Sequence, residues 1–80
     1  MELVMKFTNH FIEDVFPKRP YLTSELLSEI IRNPIKKEIQ EDGKIKMWGF
    51  SSEFNKFVRI VLLEDEETIH TAFFDRNFKK

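Results

Sequence analysis

The second half of the chain alternates runs of β-forming residues with short polar connections, which predicts four strands. These strands are predicted over Ile35–Glu41, Lys44–Phe50, Phe57–Leu63 and Thr68–Phe74. Asp42-Gly43, between the first two strands, is the residue pair that two-residue type I′ hairpins favour. The acidic connection Glu64–Glu67 joins the last two strands. Connections this short imply that consecutive strands pair antiparallel, as a meander.

Apolar residues at three- and four-residue spacings predict two helices in the first half. The first covers Thr8–Phe16 and is followed by Pro17. The second covers Tyr21–Asn33, with Thr23 as its N-cap and Pro34 after its last residue. We therefore expect an α+β fold in which two N-terminal helices pack on one face of a four-stranded antiparallel meander. Met1–Lys6 fits either the start of a strand or an irregular terminus.

Length and composition narrow the class of protein. Eighty residues, 41% of them hydrophobic and nine of them Phe, suffice for one domain, residues 1–80, with one compact core. The absence of cysteine excludes disulfides, thiolate metal sites and cysteine nucleophiles. No apolar run approaches the length of a membrane span and no signal peptide is recognised, so we expect a cytoplasmic protein without membrane contact.

Charge and glycine content argue against two classes of function. The net charge of −1 argues against a strongly basic nucleic-acid binder judged by totals, although local basic patches remain. With two glycines the chain has no glycine-rich phosphate loop, and we expect no cofactor.

Asp75 is expected to form an exposed ion pair with Arg76 at the end of the last strand, or to orient a base.

A two-residue turn at Asp42-Gly43 sets Lys37 opposite Trp48, and pairing of Phe50 with Phe57 sets Trp48 opposite Arg59. This pairing sorts side chains between two faces of the sheet. One face is apolar and is expected to receive the helices; it carries Ile45, Met47, Val58, Ile60, Leu62, Ile69 and Phe73. The other face mixes aromatic and basic residues; it carries Lys37, Lys46, Trp48, Phe57, Arg59, His70, Phe74 and Arg76. An even number of residues in the last connection makes Arg59 and His70 diagonal neighbours on this face, whereas an odd number separates them.

A face of rings and cations suits RNA, because aromatic rings stack on bases and cations neutralise phosphate. The predicted RNA-binding residues are Arg19, Lys37, Lys46, Trp48, Phe57 and Phe74. Two alternatives stay open. The rings can belong to a half-covered core, or the face can serve a non-catalytic module that binds RNA or a protein, such as a second copy of the chain through Trp48 and Phe57.

Histidine and arginine on one face predict acid–base chemistry at a phosphate. The imidazole of His70 is suited to proton transfer near neutral pH, and the Arg59 guanidinium can hold a phosphate. With the ribose 2′-hydroxyl as nucleophile, this pair suffices for metal-independent RNA cleavage. His10 and Arg76 complete the predicted catalytic set. His10 and Asp14 share a helix face, but two ligands alone do not indicate a metal site, and none is expected.

Short motifs follow one another in a recognisable order between Phe7 and Phe78. They stand at His10, Arg19, Asn33-Pro34, Asp42-Gly43, Arg59 and Asp75-Arg76. This order resembles the BrnT-like toxin group within the RelE/barnase/EndoU-like ribonucleases. The resemblance implies an α+β fold with helices before a curved antiparallel sheet. It also implies an endoribonuclease toxin of a bacterial toxin–antitoxin pair and, as its partner, a cognate antitoxin that neutralises it.

Overall fold

The computed structural model describes residues 6–78 and shows seven elements in this part of the chain. They are β1 (Lys6–Phe7), a π-helical turn (Phe11–Val15), α1 (Ser24–Arg32), β2 (Lys36–Ile39), β3 (Ile45–Ser51), β4 (Lys56–Leu62) and β5 (Thr68–Phe74). The five strands form one mixed sheet in the order β1-β5-β4-β3-β2. Strands β2 to β5 are antiparallel neighbours, whereas β1 runs parallel to β5.

The prediction of two N-terminal helices on a four-stranded antiparallel meander is therefore wrong. The sheet has a fifth strand, β1, whose two described residues are too few to show a periodicity; Met1–Met5 lie outside the described residues. The predicted helix Thr8–Phe16 is replaced by the shorter π-helical turn, in which Phe16 N–H donates to the Phe11 carbonyl (2.8 Å). That five-residue spacing is the π-type bond.

Helix α1 begins where its N-cap was predicted. Thr23 Oγ1 accepts a hydrogen bond from Leu26 N–H (3.2 Å), which satisfies one of the free donors of the first turn. The helix buries Leu27 and Ile30 towards the sheet. It lies close to β3 because residue 49 is glycine: a Cβ there would stand 2.5 Å from Ile30 Cγ1.

The core lies between the helical segments and one face of the sheet. Its buried residues are Phe11, Val15, Leu22, Leu27 and Ile30 from the helical layer, and Ile45, Met47, Val58, Ile60, Leu62, Ile69 and Ala72 from the strands. We call this side of the sheet the helix face. The opposite side is the open face, because among residues 6–78 no helix packs on it.

The β2–β3 hairpin differs from its predicted geometry by one residue. Gln40 N–H donates to the Lys44 carbonyl (2.8 Å), and Gly43 between them has φ +89°. The loop therefore holds three residues with a glycine in the left-handed region, instead of two. As a result Lys36, and not Lys37, lies opposite Trp48.

The β3–β4 register is as predicted, with Trp48 opposite Arg59 and Phe50 opposite Phe57. This pairing places the Arg59 side chain on the open face, because Val58 and Ile60 on either side of it are buried in the core.

The β4–β5 register agrees with the prediction only near the connection. Leu62 pairs with Ile69, as an even-numbered connection requires. A β-bulge then shifts the ladder by one residue, so that Val61 pairs with Thr71 and Arg59 with Phe73. The predicted diagonal contact between Arg59 and His70 is therefore wrong, because His70 is the extra residue of the bulge.

Candidate functional site

The bulge places His70 next to the segment that follows β1. Thr8 N–H donates to the Ile69 carbonyl (3.0 Å) and continues the pairing of β1 with β5. Thr8 Oγ1 lies 3.4 Å from His70 Nδ1. The ring centroids of His10 and His70 are 5.0 Å apart. Two residues of the predicted catalytic set, His10 and His70, are thus in contact; we call them the histidine pair.

The local structure around the π-helical turn holds His10 in place. Thr8 Oγ1 accepts a hydrogen bond from Phe11 N–H (3.1 Å) at the start of the turn. One turn later, Asp14 Oδ2 lies 3.3 Å from His10 Nδ1. The His10 side chain is about half exposed, at 48%. Asp14 can therefore orient the imidazole of His10, while the rest of that ring is accessible to a ligand.

His70 is set up to accept a proton. Burial lowers the pKa of His70, and the electrostatic effects of His10 and Lys44 lower this pKa further below its ordinary value of 6.5. This lowered pKa favours the neutral form of the His70 imidazole. Because its Nδ1 faces Thr8, its Nε2 is the nitrogen on the side away from that hydroxyl.

Two lysines, Lys44 and Lys46, lie at the start of β3, opposite the part of β4 that pairs with the bulge at His70. Lys46 on β3 pairs with Val61, and the bulge sets both His70 and Thr71 opposite the same Val61. Lys44, two residues before Lys46, is close enough to His70 to affect its pKa. Lys44, whose Nζ lies 3.6 Å from Asp42 Oδ2, is therefore the lysine that the structure places close to His70, and Lys46 lies opposite Glu38 on the same face.

Arg59 is engaged elsewhere. Its Nε and Nη2 donate to Asp75 Oδ2 at 3.0 and 2.8 Å. The guanidinium lies over the rings of Phe73 (4.9 Å) and Trp48 (5.6 Å). In this geometry a buried carboxylate holds the arginine that the sequence placed beside His70, so Arg59 organises the open face by its contacts with these rings.

Trp48 was predicted as a stacking platform for bases, but its ring is covered. Its Nε1 donates to Asp75 Oδ2 (2.9 Å), and Phe78 stacks on its face with ring centroids 5.3 Å apart. Trp48 is consequently only 6% exposed. Phe57, predicted to bind RNA with it, lies at the half-buried margin of the same cluster, edge-on to Phe78 at 5.0 Å.

Two predicted RNA-binding residues lie on the helix side of the sheet. Lys37 follows the parity of Met47 and forms an ion pair with Glu66. Phe74 stacks on Tyr21 at 4.9 Å. The three-residue hairpin loop explains why Lys37 lies on the helix face, and the bulge at His70 explains why Phe74 does, because each shifts the register by one residue.

The two remaining predicted arginines lie outside the histidine pair's surroundings. Arg19 is in the turn after the π-helical turn, where its N–H donates to the Val15 carbonyl (2.9 Å). Arg76 follows the end of β5 and lines a cleft of about 340 Å³ beside Lys56. The predicted continuation of strand parity to Arg76 is wrong because β5 ends at Phe74.

Asp75 is the residue whose role the sequence did not reveal. Its predicted ion pair with Arg76 is wrong: the carboxylate is 7% exposed and binds Arg59 and Trp48. These partners are 16 and 27 residues away along the chain, so no local spacing marks the contact. The one signal was the register that set Trp48 opposite Arg59.

Comparison with protein-family models, curated proteins and solved structures finds no match for this chain. The resemblance to BrnT-like toxins accordingly stays a prediction. Between residues 6 and 78, no three His, Asp or Glu side chains come together in a group able to hold a metal ion. In the same part of the chain, no helix combines the length and apolar character needed to cross a membrane.

Proposed function

We propose that the protein is a metal-independent endoribonuclease that cleaves RNA through the ribose 2′-hydroxyl. The observation that carries this proposal is the histidine pair, two imidazoles whose ring centroids are 5.0 Å apart. Cleavage by this route needs one group that removes a proton and another that donates one, and histidine performs both tasks near neutral pH. The proposal keeps the predicted chemistry but replaces Arg59 with His10 as the partner of His70.

In the proposed reaction, Nε2 of neutral His70 takes the proton of the 2′-hydroxyl. The 2′-oxygen attacks phosphorus and forms a new P–O bond, while the bond between phosphorus and the 5′-oxygen breaks. Protonated His10 donates a proton to the leaving 5′-oxygen. The products are a 2′,3′-cyclic phosphate and a 5′-hydroxyl; His70 ends protonated and His10 neutral. The lowered pKa of His70 suits the base of this scheme.

The open face supplies the contacts for RNA in this proposal. Lys44, close to His70, and Lys46, on the same face of β3, balance part of the charge of the phosphate in this proposal. Phe57 and Phe73 are half-buried on the same face and can stack on bases. Arg59 supports these contacts indirectly, because its ion pair with Asp75 fixes the centre of the face.

The biological setting comes from the resemblance described above. We place the protein in the bacterial cytoplasm as a toxin that a cognate antitoxin neutralises. An apolar groove of about 250 Å³ lies beside the helical segments and includes the exposed residues Ile12 (54%) and Phe16 (43%). An antitoxin segment seated in this groove would contact the π-helical turn that follows His10.

A non-catalytic RNA- or protein-binding module is the second candidate. It is favoured by the Arg59–Asp75 ion pair, because this pair makes the centre of the open face a fixed surface instead of a reactive one. The two candidates differ in what the histidines do. Replacing His10 or His70 abolishes function in an enzyme but leaves binding through the open face largely intact in a module.

Induced expression in a bacterium tests the toxin proposal. We expect wild-type protein to arrest growth, and His10→Ala and His70→Ala to relieve the arrest at matched soluble levels. The control is Glu53→Ala, an exposed position in the β3–β4 connection, which should arrest growth like the wild type. Arrest by both histidine variants, or no arrest by the wild type, would favour the binding module.

A further inference from the structure

We infer that the outer edge of β2 pairs antiparallel with the β2 strand of a second copy of this chain. β2 is the last strand of the sheet, and within residues 6–78 nothing pairs with its outer side. All four of its residues are exposed. This surface differs from the one predicted for a homodimer, because Trp48 is covered by Phe78. The inference does not depend on RNA cleavage.

The backbone of β2 presents free hydrogen-bonding groups at this edge. Gln40 N–H donates across the hairpin loop, so β2 residues of the same parity, Lys36 and Glu38, direct their N–H and C=O groups towards β3. In an antiparallel strand the intervening residues point the other way. Lys37 and Ile39 therefore turn their N–H and C=O groups outward, where another strand can bind them.

One symmetric register fits the side chains of this edge. In an isologous pairing centred on Lys37, Lys36 lies opposite Glu38 of the second copy, and Ile35 lies opposite Ile39 of the second copy. Symmetry makes each of these contacts twice. The first is a cross-strand pair of opposite charges, which adds to the ion pair between Lys36 Nζ and Glu38 Oε2 within each chain (3.6 Å). The second covers two exposed large apolar side chains, Ile39 at 70% and Ile35 at 40%. Ile35 N–H itself donates to a β3 carbonyl (2.7 Å), so the N–H donors to the second copy are those of Lys37 and Ile39.

The centre of this register brings Lys37 opposite Lys37 of the second copy. Like charges directly opposite each other are unfavourable. Lys37 already has a partner in its own chain, because its Nζ forms an ion pair with Glu66 from the β4–β5 connection. Glu66 thereby offsets the repulsion at the two-fold axis. Moving the register by one residue pair would instead set Glu38 against Glu38 and leave Ile35 unpaired.

This pairing has a geometric consequence for the open face. A register centred on one residue has its two-fold axis perpendicular to the sheet, so the same face of both copies lies on one side. The two sheets then join at their β2 strands into one continuous sheet, and their open faces form one longer surface. A nucleic acid that followed this surface would meet both copies.

Sedimentation equilibrium over a range of protein concentrations tests the inference. We expect the apparent mass of the wild type to rise with concentration from 9.7 kDa towards twice that value. Glu38→Lys creates two Lys–Lys contacts, and Lys36→Glu creates two Glu–Glu contacts. Each variant alone should weaken the dimer by roughly tenfold or more.

An equimolar mixture of the two variants separates a lost contact from a misfolded chain. In the mixed dimer, positions 36 and 38 are both lysine in one variant and both glutamate in the other, so every contact between these positions joins opposite charges. Dimerisation should therefore return. The controls are Glu53→Lys and Lys18→Glu, which make the same charge changes at exposed positions outside β2 and should leave the dimer of the wild type unchanged.

Three results would overturn the inference. A wild type that stays monomeric at every concentration would show that the β2 edge does not pair with a second copy of the chain. A dimer that neither variant weakens would place the interface elsewhere. Failure of the mixture to restore the dimer would contradict the proposed opposition of Lys36 and Glu38.

Discussion

At the scale of single residues, the carboxylate of Asp75 holds Trp48 and Arg59 in place on the open face. It accepts hydrogen bonds from Trp48 Nε1 and from two nitrogens of Arg59, and its other oxygen accepts one from Asn77 N–H (3.0 Å). Burial raises the pKa of Asp75, but these hydrogen bonds and the charge of Arg59 more than offset that effect, so the pKa lies below its ordinary 3.8. Asp75 is therefore ionised in the folded protein.

Replacing Asp75 with alanine should destabilise the protein by about 3 kcal/mol, because it leaves the Arg59 guanidinium and the Trp48 N–H without their buried acceptor. Urea unfolding measures this change. Asp14→Ala, which removes an exposed carboxylate, is the matched control and should cost well under 1 kcal/mol. A loss at Asp75 no larger than that at Asp14 would show that the buried pair contributes little.

The same carboxylate predicts a dependence of stability on pH. Because the folded pKa of Asp75 is below the unfolded value, its contribution is fully present above about pH 4 and is lost as pH falls through the folded pKa. Asp75→Asn imitates the protonated group and lacks this contribution at every pH. The difference in unfolding free energy between wild type and Asp75→Asn should therefore shrink on acidification from pH 7. A difference that stayed constant would contradict the assignment.

At the scale of elements, the close packing of α1 on β3 depends on a residue without a side chain. A Cβ at Gly49 would stand 2.5 Å from Ile30 Cγ1 and 2.8 Å from Ile30 Cγ2. Because Ile30 is buried and branched, it has little freedom to move aside. The helix and the strand can approach this closely only with glycine at that position.

Gly49→Ala should therefore destabilise the protein by about 1–3 kcal/mol, as overpacking of a buried contact does. Thermal or urea unfolding measures the loss. Shortening the opposing side chain should relieve it, so Gly49→Ala combined with Ile30→Ala should cost less than the sum of the two single changes. Strict additivity would argue that the helix moves away from the strand without strain.

The sequence predicted the elements that have a clear period. Helix α1 with its Thr23 cap, strands β2 to β5 and the β3–β4 register all follow from apolar spacing and turn residues. What escaped prediction are changes of one residue: the three-residue loop at Gly43 and the bulge at His70. Each depends on how two strands pair in the folded chain, which a local sequence pattern does not show. β1 is defined by its parallel partner β5, which lies about sixty residues away in the chain.

At the scale of the whole molecule, the sheet has one face covered by the helical segments and one face with cationic and aromatic residues. The sequence identified both histidines as candidate catalytic residues but did not show that they are in contact. The pairing of β1 with β5 brings His10 next to His70. It identified Arg59 as important but not its carboxylate partner Asp75. The residue types of the candidate site were thus predictable, whereas their grouping required the fold.

Cleavage of RNA by the purified protein in the presence of EDTA tests the central claim most directly. We expect the wild type to cut single-stranded RNA, leaving 2′,3′-cyclic phosphate ends, and to leave a 2′-deoxy analogue uncut. His10→Ala and His70→Ala should each lower the rate by about 10²–10⁴-fold, the usual contribution of a general acid or base. Glu53→Ala should cut at the wild-type rate. No cleavage by the wild type, or full cleavage by both histidine variants, would contradict the account.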